Sequence, residues 1–120
     1  MERITGIGGF FFRSRDPAAL RAWYEEALGL PPPPADYDEP AWIQQEGETV
    51  FAPLDPDSAM PGSAERTWAM TFRVNDLDAM VAQVRAFGTD VEVDPEEYPN
   101  GRFAWAEDPE GNRIQLWQPK

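Results

Sequence analysis

Neither cysteine nor histidine occurs in this 120-residue chain, and its single lysine is Lys120. Without cysteine there is no disulfide, no thiolate nucleophile and no zinc–thiolate site. Histidine is the commonest metal ligand and the commonest general base near neutral pH. Its absence excludes Ser-His-Asp triads and iron sites built from histidines and a carboxylate. A chain without cysteine suits a reducing cytoplasm, where we expect this protein to reside.

Positive charge and long apolar runs are also scarce. Ten Lys and Arg residues face 22 Asp and Glu residues, so the net charge is −12. Such a chain repels a phosphate backbone, and we expect no nucleic-acid partner. No apolar run approaches about 18 residues, so we expect no membrane span, and Met1–Thr5 does not resemble a signal peptide. The acidity favours solubility or, alternatively, attraction of a cationic small molecule.

What the chain does contain is a motif that occurs twice. The first copy, Gly9-Phe-Phe-Phe-Arg-Ser-Arg-Asp16, precedes a segment that runs from Pro17 to Gly29. The second copy, Ala69-Met-Thr-Phe-Arg-Val-Asn-Asp76, precedes a segment that runs from Leu77 to Gly88. Each copy predicts a strand that ends at an aspartate and an amphipathic helix that ends at a glycine. The hairpin over 46–52 matches 110–116 in the same way.

The repeat predicts a single α+β domain made of two βαβββ halves. The halves are about 1–54 and 67–120, and the turn-rich segment 55–66 joins them. The predicted strands are Arg3–Arg15, Ala41–Gln45, Thr49–Leu54, Thr67–Val74, Thr89–Val93, Phe103–Glu107 and Arg113–Gln118. The apolar helix faces are Leu20, Trp23, Tyr24 and Leu28 in the first half and Leu77, Met80, Val81, Val84 and Phe87 in the second. We expect two curved mixed sheets around a cup, with the helices outside.

The whole chain resembles the vicinal oxygen chelate superfamily, which includes glyoxalase I, extradiol dioxygenases, fosfomycin-resistance enzymes and bleomycin-resistance proteins. The residues that carry the resemblance are the Asp16 and Asp76 corners, Trp23-Tyr24 before Leu28-Gly29, Phe72-Arg-Val-Asn-Asp-Leu77 and Asp108-Pro-Glu-Gly-Asn-Arg-Ile-Gln-Leu116. The resemblance implies the tandem βαβββ fold of this family and a homodimer, because many members pair. It does not fix the activity, because this fold hosts many chemistries.

In the metal-dependent members that this chain resembles, metal ligands line the cup from equivalent strands of both halves. The resemblance places those positions at Gly9, Phe51, Ala69 and Gln115. The first three have no side-chain donor, and Gln115 offers one neutral carbonyl, which does not make a transition-metal site. We therefore expect no metal and no other cofactor.

The strand positions that face the predicted cup carry aromatic rings, two arginines and one amide. The candidate ligand-binding residues are Phe11, Arg13, Phe51, Arg73, Phe103, Trp105, Gln115 and Trp117. Such a lining suits a small, partly aromatic or cationic ligand. Two alternatives stay open: the rings fill the cup completely, or the arginines lie at its rim and pair with loop acids.

Three functions follow from this lining. The first is metal-free binding of a small molecule, similar to the bleomycin-resistance branch. The second is a metal-independent lyase or isomerase, for which Glu107 is the candidate catalytic base because it follows Phe103 and Trp105 on the cup side. The third is a structural or partner-binding domain with a filled cup.

Overall fold

The computed structural model describes residues 1–120 and contains two helices and one mixed sheet. The elements are α1 (Pro17–Leu28), β1 (Met70–Arg73), α2 (Leu77–Ala86), β2 (Val91–Val93), β3 (Gly101–Glu107) and β4 (Arg113–Pro119). The strand order is β1-β4-β3-β2, with β1 parallel to β4 and the other two pairs antiparallel. The predicted α+β class is confirmed. Neither helix combines the length and the apolar character needed to cross a membrane.

Both helices begin at the predicted aspartates. Asp16 Oδ1 accepts a hydrogen bond from the Ala19 backbone N–H at 3.1 Å, and Asp76 Oδ1 accepts one from Ala79 at 3.0 Å. These bonds satisfy backbone donors that the first helical turn leaves unpaired. Helix α1 ends at Gly29, whose left-handed backbone allows its N–H to reach the Glu25 carbonyl.

One core contains residues from both helices and from one face of the sheet. Its buried members are Leu20, Trp23, Tyr24, Ala27, Leu77, Val81, Val84, Val91, Ala104, Ala106, Ile114 and Leu116. The predicted placement of Trp23 and Tyr24 in the core is confirmed. The prediction for Phe87 is wrong, because α2 ends at Ala86 and leaves this ring 46% exposed. Helix α1 belongs to the first half by sequence, yet its buried residues share this core with the second-half sheet.

The second half forms the four strands predicted for it, with shifted ends. Strand β1 begins at Met70 instead of Thr67, and β2 begins at Val91 instead of Thr89. Strand β3 starts two residues earlier than predicted, at Gly101, and β4 extends to Pro119. Alternation of apolar and polar residues thus located each strand, whereas the ladder partners decide where it ends.

The first half differs from the sequence expectation, because 3–15, 41–45 and 49–54 form no ladder in this structure. One of the two expected sheets is therefore present. Strands need cross-strand partners and a covered face, and α1, the helix expected to cover this sheet, packs elsewhere. As a result, Ile4, Phe11, Ile43 and Phe51 are 93%, 92%, 89% and 87% exposed.

Candidate ligand-binding face

The face of the sheet that points away from the helices is called the open face here. It carries Thr71, Arg73, Phe103, Trp105, Arg113, Gln115 and Trp117, which alternate with the core residues along β1, β3 and β4. Phe103 lies opposite Trp117, and Trp105 lies opposite Gln115. Five of the eight candidate residues, Arg73, Phe103, Trp105, Gln115 and Trp117, therefore share one face.

Two aromatic rings stack in parallel on this face. The ring centroids of Phe103 and Trp117 are 6.3 Å apart and their planes differ by 4°. The indole Nε1 of Trp117 donates to the Asn100 carbonyl at 2.9 Å, which fixes the ring, and Trp117 is buried, with 8% of its surface exposed. Tyr98 packs edge-on against Phe103, with centroids 5.7 Å apart. The result is a held aromatic surface rather than a set of free side chains.

Gly101 makes room for the Trp117 indole. Its φ of +136° is a conformation that residues with a side chain rarely adopt. A Cβ at this position would lie 2.8 Å from Trp117 Nε1 and would also collide with the Gln118 carbonyl oxygen. The close approach of the β3 backbone to the indole therefore requires glycine.

The polar groups of the open face are oriented by their neighbours. Thr71 Oγ1 donates to Gln115 Oε1 at 2.8 Å, which leaves the amide nitrogen of Gln115 to donate toward the face. Arg73 Nη2 donates to the Gln45 carbonyl at 3.0 Å, so the first-half turn at 45–47 contacts this edge of the face. Arg73 therefore binds a carbonyl, and neither reading from sequence, a ligand anion or a loop acid, describes its partner.

Arg113 is an open-face residue that was not among the sequence-predicted candidates, and its guanidinium carbon lies 4.1 Å from the centroid of the Trp105 ring. The signal was available, since Arg113, Gln115 and Trp117 are spaced by two residues and share one face of a strand. The stacking itself was not visible, because Arg113 also lies directly opposite Glu107 in the sheet. Spacing along a strand does not determine which of the two, the ring or the carboxylate, the guanidinium contacts.

Three of the other candidates lie apart from this face. Phe11 and Phe51 are 92% and 87% exposed, and Arg13 is exposed as well, because the first-half strands do not form. Glu107, the last residue of β3, is exposed and lies on the open face, opposite Arg113 and two residues after Trp105. Within one chain, the structure does not gather Phe11, Arg13 and Phe51 with the stacked rings.

The four positions that the resemblance assigns to metal ligands do not carry a set of side-chain donors for a divalent ion. Gly9 has no side chain, Ala69 carries a methyl group, and the Phe51 ring faces solvent. The one donor atom among them, Gln115 Oε1, already accepts a hydrogen bond from Thr71. Nowhere in the chain do three or more His, Cys, Asp or Glu side chains gather in an arrangement that would hold a metal ion.

A buried carboxylate ties α1 to the turn that precedes β4. Asp108 Oδ2 accepts from the Tyr24 hydroxyl and from Asn112 Nδ2, both at 2.7 Å, while Asp108 Oδ1 accepts from the backbone N–H groups of Glu110 and Asn112 at 2.9 Å. Burial, together with the bond to Asp108, raises the pKa of Tyr24 well above its ordinary value, so the phenol stays a donor. This network fixes where β4 begins and hence where its open-face residues lie.

Glu110 binds the start of α1. Its carboxylate accepts from Ser14 Oγ at 2.7 Å and from the backbone N–H groups of Arg15 and Asp16 at 2.8 and 3.1 Å. The backbone bond from Arg15 and the hydroxyl of Ser14 lower the pKa of Glu110, because both stabilise its charged form. Arg66 covers the same turn and donates to Asn112 Oδ1 and, at 2.6 Å, to the Glu110 carbonyl.

Comparison with known proteins now identifies the family. The sequence model of the Glyoxalase/Bleomycin resistance protein/Dioxygenase superfamily matches residues 6–116. The chain belongs to this superfamily. A curated relative in Streptomyces peucetius, the anthracycline biosynthesis protein DnrV, is 33% identical over 96 residues, which are 78% of this chain and 34% of the relative. The chain thus spans about a third of the length of that relative.

Solved structures agree with this superfamily assignment. The antibiotic-binding protein TnmS3 from Streptomyces sp. CB03234 is 26% identical, both chains are covered completely, and the TM-score is 0.65. Lactoylglutathione lyase from Agrobacterium tumefaciens is 19% identical, with 97% of this chain and 95% of that chain covered and a TM-score of 0.57. At that identity the second likeness shows the fold alone.

Proposed function

We propose that this chain binds a small aromatic molecule on its open face and does so without a metal ion. The observation that carries the proposal is the parallel stack of Phe103 on Trp117, beside Trp105 and the oriented amide of Gln115. Planar π surfaces favour planar guests through stacking and area burial. A few oriented polar groups on an apolar wall are typical of ligand sites.

The comparisons support an antibiotic-like guest. The whole length of the chain is similar to an antibiotic-binding protein, and a partial relative is named for anthracycline biosynthesis. An anthracycline combines a planar aromatic body with a polar substituent, which suits stacked rings beside an amide. The net charge of −12 favours a cationic guest by long-range attraction.

We also propose that the chain acts as a homodimer of two-half protomers. One chain leaves the open face without an opposing wall and leaves Ile4, Phe11, Ile43 and Phe51 exposed. Large exposed apolar patches mark association surfaces. A second copy supplies strand partners for residues 3–13 and 49–54, and it brings Phe11 and Phe51 within reach of a bound guest.

Solution mass tests the dimer. Light scattering on the wild type should give twice the protomer mass, and Phe11→Ser combined with Phe51→Ser should shift the mass toward the monomer. Phe87→Ser is the matched control, because Phe87 is also exposed but lies at the end of α2. A monomeric wild type contradicts the dimer and leaves the binding proposal standing.

Titration with an anthracycline, followed by tryptophan fluorescence and calorimetry, tests binding. Trp117→Leu and Phe103→Leu should each weaken binding roughly tenfold, because each removes one ring of the stack. Phe87→Leu should leave the affinity unchanged, and circular dichroism checks that every variant folds. Equal affinity of Trp117→Leu and wild type would place the guest elsewhere.

The same preparation separates the rival functions. Turnover of a carbonyl substrate that Glu107→Gln abolishes would favour the lyase or isomerase. Failure of every aromatic guest to bind would favour the structural domain. Added Zn²⁺, Ni²⁺ or Fe²⁺ should not raise the melting temperature. A rise that Gln115→Ala removes would contradict metal-free binding.

A further inference from the structure

An acidic groove of about 610 Å³ opens at the end of the sheet, where β2 begins and β3 ends. Its charged and aromatic lining residues are Asp90, Glu92, Glu107, Asp108, Arg113 and Trp105. Asp108 is buried and fully engaged by Tyr24 and its own turn. The groove thus presents three exposed carboxylates and one cation beside an indole ring.

The cation sits on the ring and not on a carboxylate. The Arg113 guanidinium lies 4.1 Å from the Trp105 centroid, although Glu107 is its direct cross-strand neighbour. The two ion pairs of the structure lie elsewhere, between Arg102 and Asp78 and between Lys120 and Glu97. A guanidinium or ammonium over a tryptophan face is attracted by the ring quadrupole.

Apart from its stacking on Trp105, the Arg113 side chain has few contacts that hold it in place. Its side chain donates one long hydrogen bond, from Nη1 to the Ala59 carbonyl at 3.4 Å. Glu92, which lies opposite Trp105 in the sheet, and Glu107 both remain without a cationic partner. An arriving cation would therefore find the ring face, two carboxylates and an occupant that leaves without breaking an ion pair.

We propose that the Trp105 face, flanked by Glu92 and Glu107, is a subsite for the ammonium group of a guest, and that Arg113 is the internal cation this group displaces. The inference rests on the proposed function and deepens it, because it names the charge of the guest and the position of that charge. Arg113 is then a specificity residue: it keeps the ring covered against neutral guests and yields to a cation.

Choline and its uncharged carbon isostere, dimethylbutanol, are the probes, with binding followed by NMR chemical shifts of the Trp105 indole at constant ionic strength. The wild type should bind choline and not dimethylbutanol. Arg113→Gln should tighten choline binding by between about twofold and thirtyfold, because the competing cation is gone. Arg102→Gln removes the same charge on the opposite side of the sheet, beside Asp78, and should change the affinity far less.

A second pair of variants keeps the test independent of Arg113. Glu92→Gln with Glu107→Gln should weaken choline binding several-fold, whereas Glu25→Gln with Glu26→Gln on α1 should weaken it much less. Arg113→Gln binding choline no better than wild type, or dimethylbutanol binding as well as choline, would overturn the subsite. Because the probes carry no aromatic ring, that result would leave the proposed stacking on Phe103 and Trp117 intact. If the wild type binds choline but no anthracycline, the proposed function is contradicted and the ammonium subsite is supported.

Discussion

The turns at 46–48 and 110–112 occupy equivalent positions in the repeat, yet their surroundings differ completely. The first reads Gln44-Gln-Glu-Gly-Glu48, and the second reads Asp108-Pro-Glu-Gly-Asn112. Around the second turn, Asp108 and Asn112 are buried and bonded to each other, and Asp108 also bonds to Tyr24 of α1, whereas residues 44–48 are exposed. A buried acid with matched donors distinguishes the half that builds a sheet from the half that does not.

The position of α1 also favours a sheet in the second half over one in the first half. Each half contributes one helix, but both helices share one core with the second-half sheet. A strand with one uncovered face and no ladder partner gains little from folding. The first half therefore depends on contacts that a single chain does not supply, and the second half is already complete on its helix side.

Of the substitutions that compare the two turns, removal of the buried Asp108 carboxylate should lower the free energy of unfolding most. Asp108→Ala leaves the Tyr24 hydroxyl, Asn112 Nδ2 and two backbone N–H groups without their acceptor. We expect the free energy of unfolding to fall by about 3 kcal/mol or more. Gln44→Ala, at the equivalent exposed position, should change it by less than about 0.5 kcal/mol.

Urea denaturation measures both values. Similar losses in the two variants would mean that the turns contribute equally, and that the asymmetry seen around Asp108 has no energetic weight. Tyr24→Phe adds a check, because it removes one of the four bonds to Asp108 and should give an intermediate loss.

The sequence predicted what local patterns determine. Asp16 and Asp76 cap their helices as expected, and the alternation in β3 and β4 placed Phe103, Trp105, Gln115 and Trp117 on one face. Patterns along the chain do not reveal partners. Residues 10–13 and 70–73 occupy equivalent positions of the repeat, but only the latter have a neighbouring strand, β4. The stacking of Arg113 on Trp105 also depends on side-chain geometry that spacing does not determine.

Replacing the glycines of the two turns by alanine should give a smaller difference in the free energy of unfolding. Gly111 has a φ of +80°, so Gly111→Ala forces a side chain into a left-handed backbone and should cost about 1 kcal/mol. The backbone of Gly47 is not in this region, and a Cβ there would overlap the Arg73 guanidinium, which must move but is the far end of a flexible side chain. Gly47→Ala should therefore shift the unfolding midpoint little. Equal shifts in both variants would contradict the conformational difference between the turns.

Replacing the glutamates of the two turns by glutamine should have the smallest effect, which appears as a change in how stability depends on pH. The pKa of Glu110 lies below its ordinary value of 4.5 in the folded chain, chiefly because the Arg15 N–H and the Ser14 hydroxyl bind the carboxylate. A lowered folded pKa means that this stabilisation is fully present above the unfolded pKa and is lost as pH falls through the folded pKa.

Glu110→Gln should accordingly lower the urea midpoint at pH 7 and flatten its decline below about pH 4.5, relative to wild type. Glu46→Gln, at the equivalent exposed position, should retain the wild-type slope. The effect is modest because solvent screens the Glu110 carboxylate, but its sign is informative. A negative charge beside the first turn of α1 also interacts favourably with the helix dipole. A flatter decline of the urea midpoint with falling pH in Glu110→Gln would therefore show that the second-half turn stabilises the first-half helix. An unchanged slope in Glu110→Gln would mean that Asp108 and the apolar core hold α1 without it.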